Sequence, residues 1–271
     1  MTTGALIFAH ANGVIDYLEL ARWCAKNVRR HLGIPVALVT DTHTARSNLS
    51  MFDHVIEIDP VTAGNRWFAD YQSHAQWFNT TRPDAFDLTP WDHTLLLDAD
   101  MCINSADYQA LFQLGQDILC HRQCRSIADL DHVLGDTFGR CAMPMWWATV
   151  IWFSKTPRSR VVFDLMKMVR DNWSHYRDLY GINEVDFRND IALSIALNVE
   201  SGHTLDIASI PWSLLTVLPQ HEISLCEQDQ IKLWNLQYVN DQNKLMEVDF
   251  TGLDFHAMNK AQLEKIALNG T

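Results

Sequence analysis

Thr94-Leu95-Leu96-Leu97-Asp98-Ala99-Asp100 is the stretch that decides the fold. An almost wholly apolar run that stops at two carboxylates one residue apart reads as a central strand buried on both faces. In open α/β sheets ligands bind beyond the carboxyl ends of the strands, which is where this pair would stand. Two carboxylates converging there suit a hard divalent cation, Mn²⁺ or Mg²⁺, which wants oxygen ligands. An isolated Asp-x-Asp is more commonly a solvated junction between strand and turn. The apolar strand before this one and a β-α-β unit upstream set it apart.

That upstream unit consists of the apolar run Ala5-Leu6-Ile7-Phe8-Ala9, a polar turn from His10 to Gly13, a helical period, and Pro35-Val36-Ala37-Leu38-Val39-Thr40-Asp41. In the helical part Tyr17-Leu18, Ala21, Cys24-Ala25 and Val28 recur every three or four residues, the arginines fall largely on the other face, and Gly33 ends the pattern. Val55-Ile56-Glu57-Ile58 reads as a third strand after the polar loop around Ser47. Pro60 to Gly64 then breaks the chain, and the aromatic segment with Trp67, Phe68, Tyr71, Trp77 and Phe78 is expected to be helical. Downstream, Asp117 to Cys120 and Trp146 to Phe153 read as strands, and Arg122 to Arg140 as an irregular, mobile loop. Thr156-Pro157 starts a helix with an apolar stripe of Val161, Val162, Leu165, Met166, Val169 and Trp173, and a second helix begins near Asn189-Asp190. The expected fold class is α/β: a Rossmann-like, mixed, mostly parallel sheet flanked by helices, in one domain over 1–271.

Composition narrows the function classes. With 48% hydrophobic and 20% charged residues among 271, the chain can bury a sizeable core. Twenty-one Lys and Arg against 33 Asp and Glu give a net charge of −12, which argues against broad non-specific binding to nucleic acid. Lys155, Arg158, Arg160, Lys167 and Arg170 form one local basic cluster. No run reaches the roughly 18 apolar residues of a spanning helix, and no basic-then-apolar leader opens the sequence. The six cysteines show no framework spacing, so the compartment is read as reducing, the cytoplasm. Cys120-His121 with Cys124 lacks the second pair a zinc site needs. A Gly-rich phosphate loop, a Gly-x-Gly-x-x-Gly turn and a Gly-x-Ser-x-Gly elbow are all missing, which removes ATPase, dinucleotide oxidoreductase and common hydrolase readings.

The chain resembles the nucleotide-sugar glycosyltransferases of the A-type fold, within them the glycogenin and bacterial galactosyltransferase group. The resemblance rests on the opening strand with Asp16-Tyr17 before a helix, on Val36 to Asp41, and on Asp87-Leu88-Thr89-Pro90-Trp91-Asp92 leading into Leu95 to Asp100. It is clearest from about residue 4 to 105 and patchy beyond. It implies a nucleotide-sugar-binding half over 1–105 and an acceptor half over 106–271 with a C-terminal metal and diphosphate segment. It further implies transfer of a hexose from a nucleoside-diphosphate sugar, a UDP-sugar favoured, to an acceptor hydroxyl, with retention.

By the same resemblance Asp98 and Asp100 hold the metal and the donor diphosphate, with His256 as a third ligand and Lys260 on the diphosphate. Base and ribose contacts fall on Ala9, His10, Asn12, Asp16, Tyr17 and Asp41. Arg82 reaches the donor sugar or diphosphate, for which its planar fork is suited, or else is a surface arginine in the loop that Pro83 imposes. Asp190, with Asn189, stands beside the reacting sugar, although an aspartate at a helix start also serves as a cap. One of Trp146, Trp147 and Trp152 is expected to face a ligand. The family pattern has a Gly between the late His and Lys and a longer spacing, both missing here. A sugar nucleotidyltransferase or a catalytically silent binding module are the alternatives, and the acceptor (glycan, lipid-linked sugar, protein or modified DNA base) is left open.

Overall fold

In the computed structural model the described residues are 1–46, 48–59, 62, 64–68, 71–78, 80–204, 207–228 and 231–269. Among them the apolar runs become β1 (Thr3–Phe8), β2 (Val36–Thr40), β3 (His54–Glu57), β6 (His93–Leu97), β8 (Ile118–His121) and β13 (Trp147–Ser154). These form a six-stranded sheet in the order β3-β2-β1-β6-β13-β8. β1, β2, β3 and β6 are parallel, whereas β13 runs against both β6 and β8. The expected mixed, mostly parallel α/β sheet is therefore present.

Burial on both faces explains the unbroken apolar runs. Ala5, Ile7, Leu95 and Leu97 pack with helix α1 (Tyr17–Leu32) on one side. Leu6 and Leu96 pack on the other side against Val162, Phe163 and Met166 of α3 (Pro157–Asp171) and Leu193, Ala196 and Leu197 of α5 (Asn189–Glu200). Each fully buried leucine contributes about 1.5–3 kcal/mol. The helix boundaries follow local chemistry. Asp16 accepts the Glu19 N–H at 2.9 Å and Gly33 closes α1 at φ 66°. Thr156 accepts the Ser159 N–H, with Pro157 following it. Gly4 leaves room for the Trp91 ring against β1, where any Cβ would collide with it, and Trp91 Nε1 donates to the Ala5 carbonyl at 3.2 Å.

A second sheet, in the order β10-β9-β14-β18-β7, is built from β7 (Met101–Cys102), β9 (Cys124–Ser126), β10 (Asp129–Leu134), β14 (Leu214–Val217) and β18 (Phe255–Ala257). Helix α6 (Lys260–Asn269) follows it and buries Leu263 and Ala267. Three antiparallel strands, β15 (Glu222–Gln228), β16 (Ile231–Val239) and β17 (Leu245–Phe250), make a third sheet that covers the core with Trp234 and Leu236. Short helices α2 (Ala85–Leu88) and α4 (Trp173–Tyr180) and the small pair β11 (Thr137–Phe138) and β12 (Met143–Pro144) complete the fold.

Two expectations change. The aromatic segment is not helical: Asn65–Phe68 (β4) and Ser73–Gln76 (β5) form an antiparallel hairpin, with the Trp67 and His74 rings paired across it at 5.0 Å. Trp67 pairs across the hairpin and Arg66 borders the cleft, so the aromatic spacing that suggests a helix is not used to cover a core. The segment from Arg122 to Arg140 is not an irregular loop, because it contributes β9, β10 and β11. The polar loop around Ser47 and the break from Pro60 to Gly64 lie partly outside the described residues.

Candidate active site

The parallel pairing of β1 with β6 brings the turn after Phe8 and the carboxylates after Leu97 to the same end of the sheet. Because β13 runs the other way, its start at Trp147-Ala148-Thr149 arrives there too, and the Asp98 N–H donates to the Thr149 carbonyl at 3.0 Å. The start of α5, the hairpin β4–β5 and the start of α6 close the surround. Together they enclose a cleft of about 510 Å³ into which Asp98, Asp100, His256 and Lys260 face.

His256 reaches Asp100 across 156 residues of sequence through the second sheet. β18 pairs antiparallel with β7, setting His256 opposite Met101, and the Ala257 N–H donates to the Asp100 carbonyl at 3.0 Å. His256 Nε2 then lies 3.3 Å from Asp100 Oδ1, while Lys260 Nζ contacts Asp100 Oδ2. One ligand atom from each of Asp98, Asp100 and His256 lies within 4.8 Å of the others. Two hard carboxylates and one imidazole at this spacing fit a divalent cation, the nitrogen suiting Mn²⁺ better than Mg²⁺.

The charges at this end are strongly coupled. Burial works against ionisation of Asp100, but the Lys260 ammonium and His256 outweigh it and hold the carboxyl far below its usual range. Burial likewise opposes the charge on His256, and Asp100 overcomes it, raising the imidazole. Asp98 goes the other way: burial pushes it up, with Arg82 opposing and Asp100 adding to the rise.

Arg82 sits buried beside the pair. Its Nη1 donates to Asp98 Oδ1 at 2.6 Å, and its Nη2 to the carbonyls of Ala148 at 2.6 Å and Thr149 at 3.3 Å. The guanidinium thus ties Asp98 to the start of β13, and its buried Nε has no hydrogen-bond partner among the described residues. Asp190 lies in the first turn of α5, where the cap residue is Arg188. Its Oδ1 accepts the Ala148 N–H at 3.0 Å and its Oδ2 the Arg188 Nη2 at 2.9 Å, so the carboxylate reaches across to β13 and does not cap its own helix. Asn189 lines the cleft beside it.

Three of the residues expected near the base and ribose, His10, Asn12 and Tyr17, line the same cleft, and Tyr17 stands close enough to Lys260 and Asp100 to feel their charges. His10 is 4% exposed, and burial lowers its basicity despite Asp41 at 3.7 Å. Asn12 Oδ1 is taken by the N–H groups of Val14 and Ile15, leaving its buried Nδ2 without a partner among the described residues. The Tyr17 hydroxyl is also buried with no hydrogen bond to a described residue, and burial pushes it up to about 12. Ala9, Asp16 and Asp41 stand outside the lining. The Ala9 carbonyl accepts Thr40 Oγ1 at 2.7 Å, Asp16 caps α1, and Asp41 accepts from Ala11 and Thr44. Those bonds hold the Asp41 carboxyl below its ordinary range although burial opposes them.

Of the three tryptophans, Trp147 lines the cleft, whereas Trp152 stacks on Phe112 at 5.2 Å inside the core. Sequence reasoning missed Glu184, Asp186 and the hairpin's Arg66, whose guanidinium covers the Trp77 ring at 4.5 Å. No periodic or motif signal marks these residues, two of them in a loop and Arg66 in a short strand. The basic cluster is spent on ion pairs and a carbonyl. Arg158 pairs with Glu200, Arg160 and Lys167 with Asp87, Arg170 with Asp84, and Lys155 donates to the Thr89 carbonyl.

No protein-family model matches the sequence, and no curated protein matches it. Among the solved structures to which the chain is similar are glycosyltransferases. One is the glycosyltransferase GlyE of Streptococcus pneumoniae TIGR4, at 13% identity over 78% of this chain and a TM-score of 0.44. This chain spans 46% of that one, about half its length. Another is the galactosyltransferase LgtC in complex with donor and acceptor sugar analogs, at 15% identity over 70% of each chain and a TM-score of 0.46. Mouse xyloside xylosyltransferase 1 is a third, at 12% identity over 78% of this chain and 84% of the other, with a TM-score of 0.44.

Proposed function

We propose that this chain transfers a hexose from a nucleoside-diphosphate sugar, a UDP-sugar favoured, to an acceptor hydroxyl with retention, using a divalent metal held by Asp98, Asp100 and His256. The observation that carries it is the convergence of those three ligands with Lys260 at one end of a single cleft. Bound there, a divalent cation would act as a Lewis acid on the diphosphate oxygens and neutralise charge on the leaving group. The chain's own residues divide the remaining tasks. His10, Asn12 and Tyr17 add polar side chains to the lining of the cleft, suited to a base and ribose. Lys260 offers an ammonium to the diphosphate, and Arg82 fixes the Asp98 carboxylate in place. Asp190 and Asn189, with Trp147, form the wall against which the sugar would be held, and a carboxylate fixed by the Ala148 N–H is preorganised to meet positive charge developing at the anomeric carbon.

Residues 1–105 then serve the donor and 106–271 the acceptor, with the C-terminal strand and helix returning to the metal. Among acceptors, a modified DNA base is disfavoured because the basic side chains of α3 are neutralised by Glu200, Asp87 and Asp84 from neighbouring segments. Glycan, lipid-linked sugar and protein acceptors stay in play. The chain has no described helix long and apolar enough to cross a membrane. Cys24, Cys102, Cys120 and Cys124 are buried free thiols, which fits work in the reducing cytoplasm. The test is a screen of nucleotide-sugars for turnover with and without Mn²⁺. Release of nucleoside diphosphate from one donor, lost on chelation, supports the proposal; binding without turnover of any donor would favour a silent sugar-binding module.

A further inference from the structure

Each carboxylate of the acidic pair meets a cation supplied by the protein, Asp98 an arginine and Asp100 a lysine. The two cations are held differently. The Arg82 guanidinium is 7% exposed and anchored on the carbonyls of Ala148 and Thr149 as well as on Asp98, so it has nowhere to turn. Lys260 borders the cleft, its side chain is 16% exposed, and its charge sits at the end of a flexible four-carbon stem. Its backbone is fixed. The Lys260 N–H donates to the Met258 carbonyl at 3.1 Å, the preceding Asn259 donates to the His221 carbonyl at 2.9 Å, and Leu263 and Ala267 bury the helix behind it. A move of the ammonium from Asp100 towards the cleft would therefore leave the helix in place.

We propose that Lys260 competes with the divalent cation for the Asp100 carboxylate, so that the metal binds tightly only together with an anionic nucleoside diphosphate. The inference rests on the metal site proposed above. A dication entering a carboxylate pair already matched by Arg82 and Lys260 meets two positive charges as well as two negative ones, in a buried setting where screening is weak. A diphosphate arriving with the metal supplies negative charge and gives the displaced ammonium a new partner. Metal and nucleotide then raise each other's affinity by the same factor.

Mn²⁺ binding to the full chain, measured by electron paramagnetic resonance of free Mn²⁺ and by calorimetry with and without UDP, tests this. In Lys260→Met and Lys260→Gln the affinity for Mn²⁺ alone should rise about tenfold or more, and the tightening produced by UDP should shrink. Lys260→Arg, which keeps the charge, should stay near wild type. Equal or weaker Mn²⁺ affinity in both neutral variants, with melting temperatures near wild type, would overturn the competition while leaving the metal site intact. If no form binds Mn²⁺ even with UDP, the metal assignment itself fails and this inference falls with it.

Discussion

Replacing Asp190 by asparagine and by alanine separates its chemistry from its structural bonds. The Asp190 carboxylate receives the N–H of Ala148, a residue 2% exposed, at 3.0 Å. Alanine leaves that buried donor unsatisfied, at a cost of about 1–3 kcal/mol, whereas the amide oxygen of asparagine can keep the bond. The second contact, to Arg188, involves a guanidinium that is 41% exposed and adds little to stability. With about 2.1 cal/mol/K of unfolding entropy per residue over 271 residues, the alanine variant should melt about 2–5 °C below wild type and the asparagine variant within about 2 °C of it. Activity should follow a different order. Both variants lose the negative charge that the proposed mechanism sets against the sugar, so kcat should fall about 100-fold or more in each, with donor KM changed much less. Differential scanning fluorimetry and a steady-state assay of nucleoside-diphosphate release read the two effects separately. Asp190→Asn that melts like wild type and keeps wild-type turnover would make Asp190 a strand anchor and nothing more.

Arg82→Lys keeps a positive charge near Asp98 but cannot span the carboxylate and the carbonyls of Ala148 and Thr149, so stability should drop by about 2 kcal/mol in urea titration; an unaltered midpoint would contradict the anchoring role. His121 is fully buried between the Tyr108 hydroxyl and the Trp212 carbonyl, and burial pushes its pKa down to about 4. The unfolded chain therefore binds the extra proton first, and stability should decline as pH falls from about 6.5 towards 4, by about 2 kcal/mol at pH 5. His121→Gln should flatten that slope, and an equal slope in both proteins would show that other groups set it.

The first half of the fold was legible because the chain announces it locally. A parallel strand covered on both faces must be apolar throughout, and a carboxylate pair ending such a run in Asp98 and Asp100 has few structural uses. Thr156-Pro157 and Gly33 marked their helix ends for equally local reasons. The hairpin β4–β5 was not legible, since its strands are short and partly polar and its aromatics mimic a helical stripe. The sheet β15–β17 carried a readable signal in the alternation of Trp234, Leu236 and Tyr238, which face one side while Asn235 and Gln237 face the other. In the site, the His256 contact with Asp100 depends on a pairing between distant strands that spacing alone does not encode. The grip of Arg82 on two carbonyls of β13 is invisible for a related reason: backbone acceptors carry no residue signature.

The most direct measurement is nucleoside-diphosphate release from the productive nucleotide-sugar by wild type and by Asp100→Asn, each with added Mn²⁺ and with EDTA. Asp100 is 3% exposed, and asparagine has nearly the same shape, so the variant should fold and can be checked by circular dichroism. Wild type should turn over donor with Mn²⁺ and stop in EDTA, while folded Asp100→Asn should lose about 100-fold or more under both conditions. Wild-type turnover that survives EDTA, or a folded Asp100→Asn that works as well as wild type at the same Mn²⁺ concentration, would contradict a metal-dependent glycosyl transfer centred on Asp98, Asp100 and His256.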